Sequence, residues 1–155
     1  MSPTDTGVLD TLGMFDAAFG LPDQMAAAVE LASSVDGLPD ASAVTSILVL
    51  GMGGSGISGD IMALVASEHG RVPVEVSRHY ELPAHVGPHT LVMAVSFSGD
   101  TEETVVAAEA AVAAGAPVVA VTTGGALGDL VSAAGGGVCG LPKGIPLPRA
   151  ALGAV

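Results

Sequence analysis

The stretch Ser46-Ile-Leu-Val-Leu-Gly51-Met-Gly-Gly-Ser-Gly-Ile-Ser-Gly-Asp60 decides the fold. Its first six residues are an unbroken apolar run that ends in glycine, which reads as a strand buried on both faces. A helix from about Ser55 to Glu68 follows. The same alternation then recurs downstream. Val72–Val76 is a second strand, placed toward a sheet edge by Pro73, which has no N–H to give to a neighbour. Thr90–Ser96 is a third strand, followed by a helix from about Asp100 to Ala114. Pro117–Thr122 is the fourth, Ala126–Ala133 a short helix, and Gly137–Leu141 the region of a fifth strand. Parallel neighbours need crossover connections, so this order predicts an α/β fold: a five-stranded parallel sheet with helices on both faces. Ligands of such sheets sit beyond the carboxyl ends of the strands.

N-terminal to the strand at Ser46 the pattern is helical. Val8, Leu12, Phe15 and Phe19 form an apolar stripe at helical spacing over residues 7–19, and Pro22 suits the first turn of a second helix running to about Ser34. Residues 1–40 are read as a helical packing arm closed by a Gly37-Leu38-Pro39-Asp40 turn.

The 155 residues fit one domain. Half of them are hydrophobic but only 3% are aromatic, so the core must be built tightly from Ala, Val, Leu, Ile and Met. The formal net charge is −12, with Arg71, Arg78, Lys143 and Arg149 as the fixed cations. So negative a surface repels nucleic acid and anionic membrane, and neither is an expected partner. A bound phosphate would have to be held largely by backbone N–H groups and hydroxyls. Cys139 is the single cysteine, which rules out an internal disulfide and suits a reducing cytoplasm. The start of the chain carries Asp5 and Asp10 rather than a basic leader, and no apolar run reaches the roughly 18–20 residues of a membrane span.

Two loops carry the chemistry. In Gly51–Asp60, glycines let the backbone approach an anion, the helix start offers unpaired N–H donors, and Ser55 adds a hydroxyl. Gly51, Gly53 and Gly56 also satisfy the dinucleotide fingerprint, with Glu75 at a suitable distance, so a nucleotide-cofactor enzyme stays open. A hydrolase nucleophile elbow does not fit, because Ile57 stands where glycine is needed. The second loop is Ser96-Phe-Ser-Gly-Asp-Thr-Glu-Glu-Thr104. Ser96, Ser98 and Thr101 place three hydroxyls around one helix start, and Gly99 lets the chain fold over a bound group. Ser98 as an ordinary helix cap explains one of these hydroxyls but not the other two. Two such loops at neighbouring strand ends suit a single phosphate gripped from both sides. Asp100, Glu102 and Glu103 would repel it, so they are expected to face solvent.

Gly51–Asp60 together with Ser96–Thr104 resembles the sugar isomerase (SIS) domain, and more narrowly the bifunctional phosphoglucose/phosphomannose isomerase family. Pro148-Arg-Ala-Ala-Leu-Gly153 and the helical arm fit that family as well. The resemblance implies a flavodoxin-like three-layer sandwich over residues 41–142. It makes residues 143–155 a linker toward a second SIS domain. It implies a phosphosugar substrate, no cofactor, and pairing with a second SIS domain or a like subunit. By resemblance Gly53, Gly54, Ser55, Ser96, Ser98 and Thr101 contact phosphate, and Arg149 lies near the reacting carbons, where a cation stabilises enediolate charge. The family's base is a glutamate of the second domain, which places it beyond Val155. No catalytic base is therefore assigned within the 155 residues, and the chain is expected to be inactive alone. A non-catalytic phosphosugar sensor is the alternative within the family.

His69, His79, His85 and His89 lack metal-ligand spacing and have no accompanying cysteine pair. His79, His85 and His89 are expected to face solvent, and Cys139 to pack as a small hydrophobe.

Overall fold

The computed structural model describes Thr11, residues 13–142, Ile145 and residues 151–154. Five strands form one sheet: β1 (Ser46–Gly51), β2 (Val74–Ser77), β3 (Thr90–Val95), β4 (Val118–Thr122) and β5 (Val138–Gly140). Their order is β2-β1-β3-β4-β5, and every pairing is parallel. The five-stranded parallel α/β fold expected from the sequence is therefore present, with β2 at an edge. The order reverses between β1 and β3, which makes that boundary the topological switch point, where sheets of this kind open a crevice. Gly51 is in register with Val95 across it, so the loops leaving β1 and β3 start side by side.

Three helices of the sheet layers are numbered after the two of the arm. Helices α3 (Gly53–His69), α4 (Glu102–Ala113) and α5 (Gly125–Ala133) follow β1, β3 and β4. One face of the sheet presents Leu48, Leu50, Val92, Ala94, Val118 and Ala120 to Ala107, Ala108 and Ala111 of α4 and Leu127 and Val131 of α5. The alanines let α4 close on the strands without a gap, so each buried leucine keeps its share of roughly 1.5–3 kcal/mol. The other face carries α3. A Cβ at Gly59 would lie 2.9 Å from Val49 Cγ1 and 3.1 Å from Val76 Cγ1, so that glycine sets how near α3 lies to β1 and β2.

The helical arm consists of α1 (Met14–Phe19) and α2 (Leu21–Ala32), with Pro22 in the first turn of α2. Val8 and Leu12 of the expected stripe lie outside the described residues, while Phe15 and Phe19 are exposed. Asp40 then caps a short 3-10 helix, Ala41–Ala43, by accepting from the Ser42 N–H at 2.9 Å. Residues 151–154 return to the arm: Ala151 is buried, and Gly153 lies against the Leu21 carbonyl. Val155, after them, lies outside the described residues.

Two helix starts differ from expectation. α3 begins at Gly53, so the glycines form its first turn instead of preceding it. α4 begins at Glu102 with Thr101 as N-cap, and Ser98 is not the cap. The Thr101 side chain does not cap the helix either, because its hydroxyl is bonded to Ser96.

Candidate anion-binding site at the β1/β3 switch point

The turn from β1 into α3 is tight. A Cβ at Gly51 would stand 3.0 Å from the Ser55 carbonyl oxygen. Gly53 takes φ +50, and around Gly53 and Gly54 the space is open, so their backbone lies exposed. The first N–H groups of a helix have no partner within it, and here the residues that carry them, Gly53 and Gly54, are exposed. Ser55 is half-buried, and its hydroxyl makes no hydrogen bond among the described residues.

The loop after β3 is internally bonded. Ser96 is buried, and its Oγ accepts from the Gly99 N–H at 3.1 Å and lies 2.9 Å from Thr101 Oγ1. Ser98 is exposed, and its Oγ accepts from the Asp100 N–H at 3.2 Å, which leaves its O–H to donate outward. Gly99 turns the loop with φ +80, and a Cβ there would overlap the Gly124 carbonyl. The structure thus brings Ser96, Ser98 and Thr101 together, with Gly53, Gly54 and Ser55 on the neighbouring strand end. Arg149 and Val155 both lie outside the described residues.

A third loop braces the second. Thr123 donates to the Phe97 carbonyl through both its N–H, at 3.0 Å, and its hydroxyl, at 2.7 Å. Leu127 N–H donates to the Gly99 carbonyl at 2.9 Å, and Ala126 N–H donates to Asp100 Oδ1 at 2.9 Å. Asp100 is exposed as expected, yet its carboxylate is held at the start of α5 and turned to a use of its own. Glu102 is exposed, but Glu103 is half-buried, against expectation, because it sits in the first turn of a helix packed on the sheet. The sequence reading passed over this third loop, though Thr122-Thr123-Gly124-Gly125 repeats the hydroxyl-and-glycine composition of the other two. Thr104, in the first turn of α4, is buried and its hydroxyl has no partner among the described residues.

The place of one cation was also missed. Arg78 follows β2 directly and crosses to α3, where Nη2 donates to the Gly56 carbonyl at 3.0 Å and to Asp60 Oδ2 at 2.5 Å. Gly56 makes room for it: a Cβ there would lie 2.8 Å from Arg78 Nε. The hydrogen bond from Arg78 holds the Asp60 carboxyl below the usual carboxylate range and, in return, raises the guanidinium. Tyr80, two residues on, has its phenol pushed up by desolvation and by the charges of Glu102 and Glu103.

His79, His85 and His89 are exposed, as expected; His85 Nε2 lies 3.4 Å from Glu75 Oε2. Cys139 is only half-buried, and burial pushes its thiol up, away from nucleophilic use. Among the described residues no group of three or more His, Cys, Asp or Glu could hold a metal, and no helix is long and apolar enough to cross a membrane.

The SIS domain family matches residues 41–130, which contain the loops after β1 and β3 and the bracing loop. The bifunctional phosphoglucose/phosphomannose isomerase of Caldicellulosiruptor bescii is 39% identical over 140 residues, covering 90% of this chain and 41% of the relative. The D-glucosamine-6-phosphate 4-epimerase of Sulfolobus acidocaldarius is 32% identical over 108 residues, covering 69% of this chain and 34% of the relative. The chain thus spans well under half the length of these relatives. Among solved structures, the C-terminal domain of glucosamine-fructose-6-phosphate aminotransferase from Francisella tularensis matches with TM-score 0.69 and 14% identity. That match covers 92% of this chain and 46% of the other, and it speaks to the fold alone. With the family's residues lying over the sheet's switch point, the chain belongs to the SIS domain family.

Proposed function

We propose that this chain is the phosphate-holding part of an aldose–ketose isomerase that interconverts glucose 6-phosphate, and mannose 6-phosphate, with fructose 6-phosphate. The observation that carries the reading is the clustering of Ser96, Ser98 and Thr101 around Gly99, beside the open first turn of α3. Phosphate would accept from the N–H groups of Gly53, Gly54 and Ser55 and from the hydroxyls of Ser55, Ser98 and Thr101, with buried Ser96 ordering the loop. The substrate class rests on the phosphoglucose/phosphomannose isomerase relative, while the epimerase relative shares the phosphosugar and not the reaction. In this reading Arg149 stands near the reacting carbons, and residues 143–155 lead toward a second SIS domain.

Isomerisation moves a proton between C1 and C2 and needs a base within hydrogen-bond reach of it. Near the loops, Asp60 is engaged by Arg78 and Asp100 by Ala126, and Glu102 and Glu103 start α4 at the phosphate end of the substrate. None of these four suits the role, and in this reading the base belongs to a domain beyond Val155. The 155-residue chain is then expected to bind sugar phosphate without turning it over. Coupled conversion of fructose 6-phosphate tests this, run beside calorimetric binding: binding without turnover supports the reading, and no binding sinks it. The reading carries a cytoplasmic location and pairing with a second SIS domain or a second copy. The exposed row Ile57, Ile61, Leu64 and Val65 along α3 supports the pairing, and sedimentation at high concentration checks it.

A further inference from the structure

We propose that Arg78 is the resident cation of the anion site, its charge partly offset by Asp60, so that the pair tunes how strongly a phosphate is held. The proposal rests on the phosphosugar reading and adds to it a residue that neither loop motif contains.

Three observations carry it. First, Arg78 stands at the carboxyl end of β2, and its guanidinium lies against Gly56, one residue beyond Ser55 in the first turns of α3. An anion at that helix start would lie within about a helical turn of the charge, where attraction is still felt in spite of solvent. Second, Nη2 alone makes the bonds to Gly56 and Asp60, so Nε and Nη1 keep donors with no partner among the described residues. The side chain is 39% exposed, open enough to reach a ligand. Third, the chain is strongly acidic, with a net charge of −12, and Arg71 lies before β2, at the opposite end of the strand. Among the described residues Arg78 is therefore the fixed cation at the ligand end of the sheet.

The same bonds from Arg78 also tie down the start of α3. A glycine-rich helix start loses much conformational entropy on ordering and has few side chains to fix it. Arg78 supplies the fixing bonds, and Asp60 keeps the guanidinium on the flank of α3. Asp60 also offsets its charge. Removing the carboxylate's charge without its shape should then strengthen anion binding, whereas removing the arginine should weaken it.

The test is calorimetric titration of the 155-residue chain with inorganic phosphate and with fructose 6-phosphate. It compares the unaltered protein with Arg78→Gln, Arg78→Lys and Asp60→Asn, with melting temperature recorded for each. The expectation is a roughly five- to tenfold weaker affinity for R78Q, a smaller loss for R78K, and a roughly two- to fivefold gain for D60N. The opposite signs are the point. A merely structural strap would be loosened by both kinds of change, so D60N binding that is unchanged or weaker overturns the proposal. So does R78Q binding equal to the unaltered protein's. If R78Q does not fold, R78K and D60N decide the matter by the same signs. If the unaltered chain binds neither probe, the phosphosugar reading beneath it has failed instead.

Discussion

Asp100 Oδ1 accepts a hydrogen bond from the Ala126 N–H at 2.9 Å, joining the loop after β3 to the first turn of α5. A carboxylate of the loop after β3 is thereby turned onto a helix start, where the positive end of the helix dipole favours it. Asp100→Ala should cost about 1 kcal/mol of stability, the scale of a lost helix cap. Asp100→Asn should cost less, because its amide oxygen still accepts. Urea unfolding of both variants checks the order; equal losses would mean that charge, and not the bond, holds the bridge.

Gly99→Ala should be among the most harmful single changes. Its φ of +80 and its contact with the Gly124 carbonyl both exclude a side chain. The conformation alone costs on the order of 1–3 kcal/mol, and the overlap forces the second and third loops apart. Loss of both stability and phosphate binding is expected, read by unfolding and calorimetry.

Ser98 and Ser96 should separate binding from stability. Ser98 is exposed and keeps its proton free, so Ser98→Ala should weaken phosphate by roughly 1–2 kcal/mol with little change in unfolding. Ser96 is buried and tied to Gly99 and Thr101, so Ser96→Ala should lower both. Unchanged affinity in Ser98→Ala would remove that hydroxyl from the site.

Thr104→Val tests a buried hydroxyl without a partner among the described residues. Since no bond is lost and a desolvated group is removed, stability should stay within about 0.5 kcal/mol or rise. A loss greater than about 1 kcal/mol would reveal a partner that the protein acquires in solution.

The Arg78–Asp60 contact should respond to acid in one direction. Asp60 is held below its ordinary value of 3.8, so the pairing is complete above that value and is lost as pH falls through the lowered one. Any stability it contributes therefore disappears only in that acid range. Arg78→Gln should return the Asp60 titration toward 3.8, followed by carboxyl NMR; a titration that does not move would show that Arg78 is not its cause.

Elements with a local signature were legible in the chain. Ser46–Gly51 and Thr90–Val95 are apolar runs closed by glycine or serine, and a residue's polarity and its neighbour's freedom to turn belong to the sequence itself. The same holds for Ser96, Ser98 and Thr101, whose spacing puts their hydroxyls at one helix start. Tertiary structure alone decided what depends on residues far apart in the chain. The parallel pairing of β1 with β3 joins segments over forty residues apart in the chain, and it is this that starts the two loops side by side. Arg78 reads as a surface arginine until β2 docks at the edge and carries it to Gly56, twenty-two residues earlier in the chain. Asp100 reads as a charge to be kept from phosphate until α5 presents an unpaired N–H to it. Hydrogen bonds and charge pairs form where geometry allows, and that geometry exists only once the sheet has assembled.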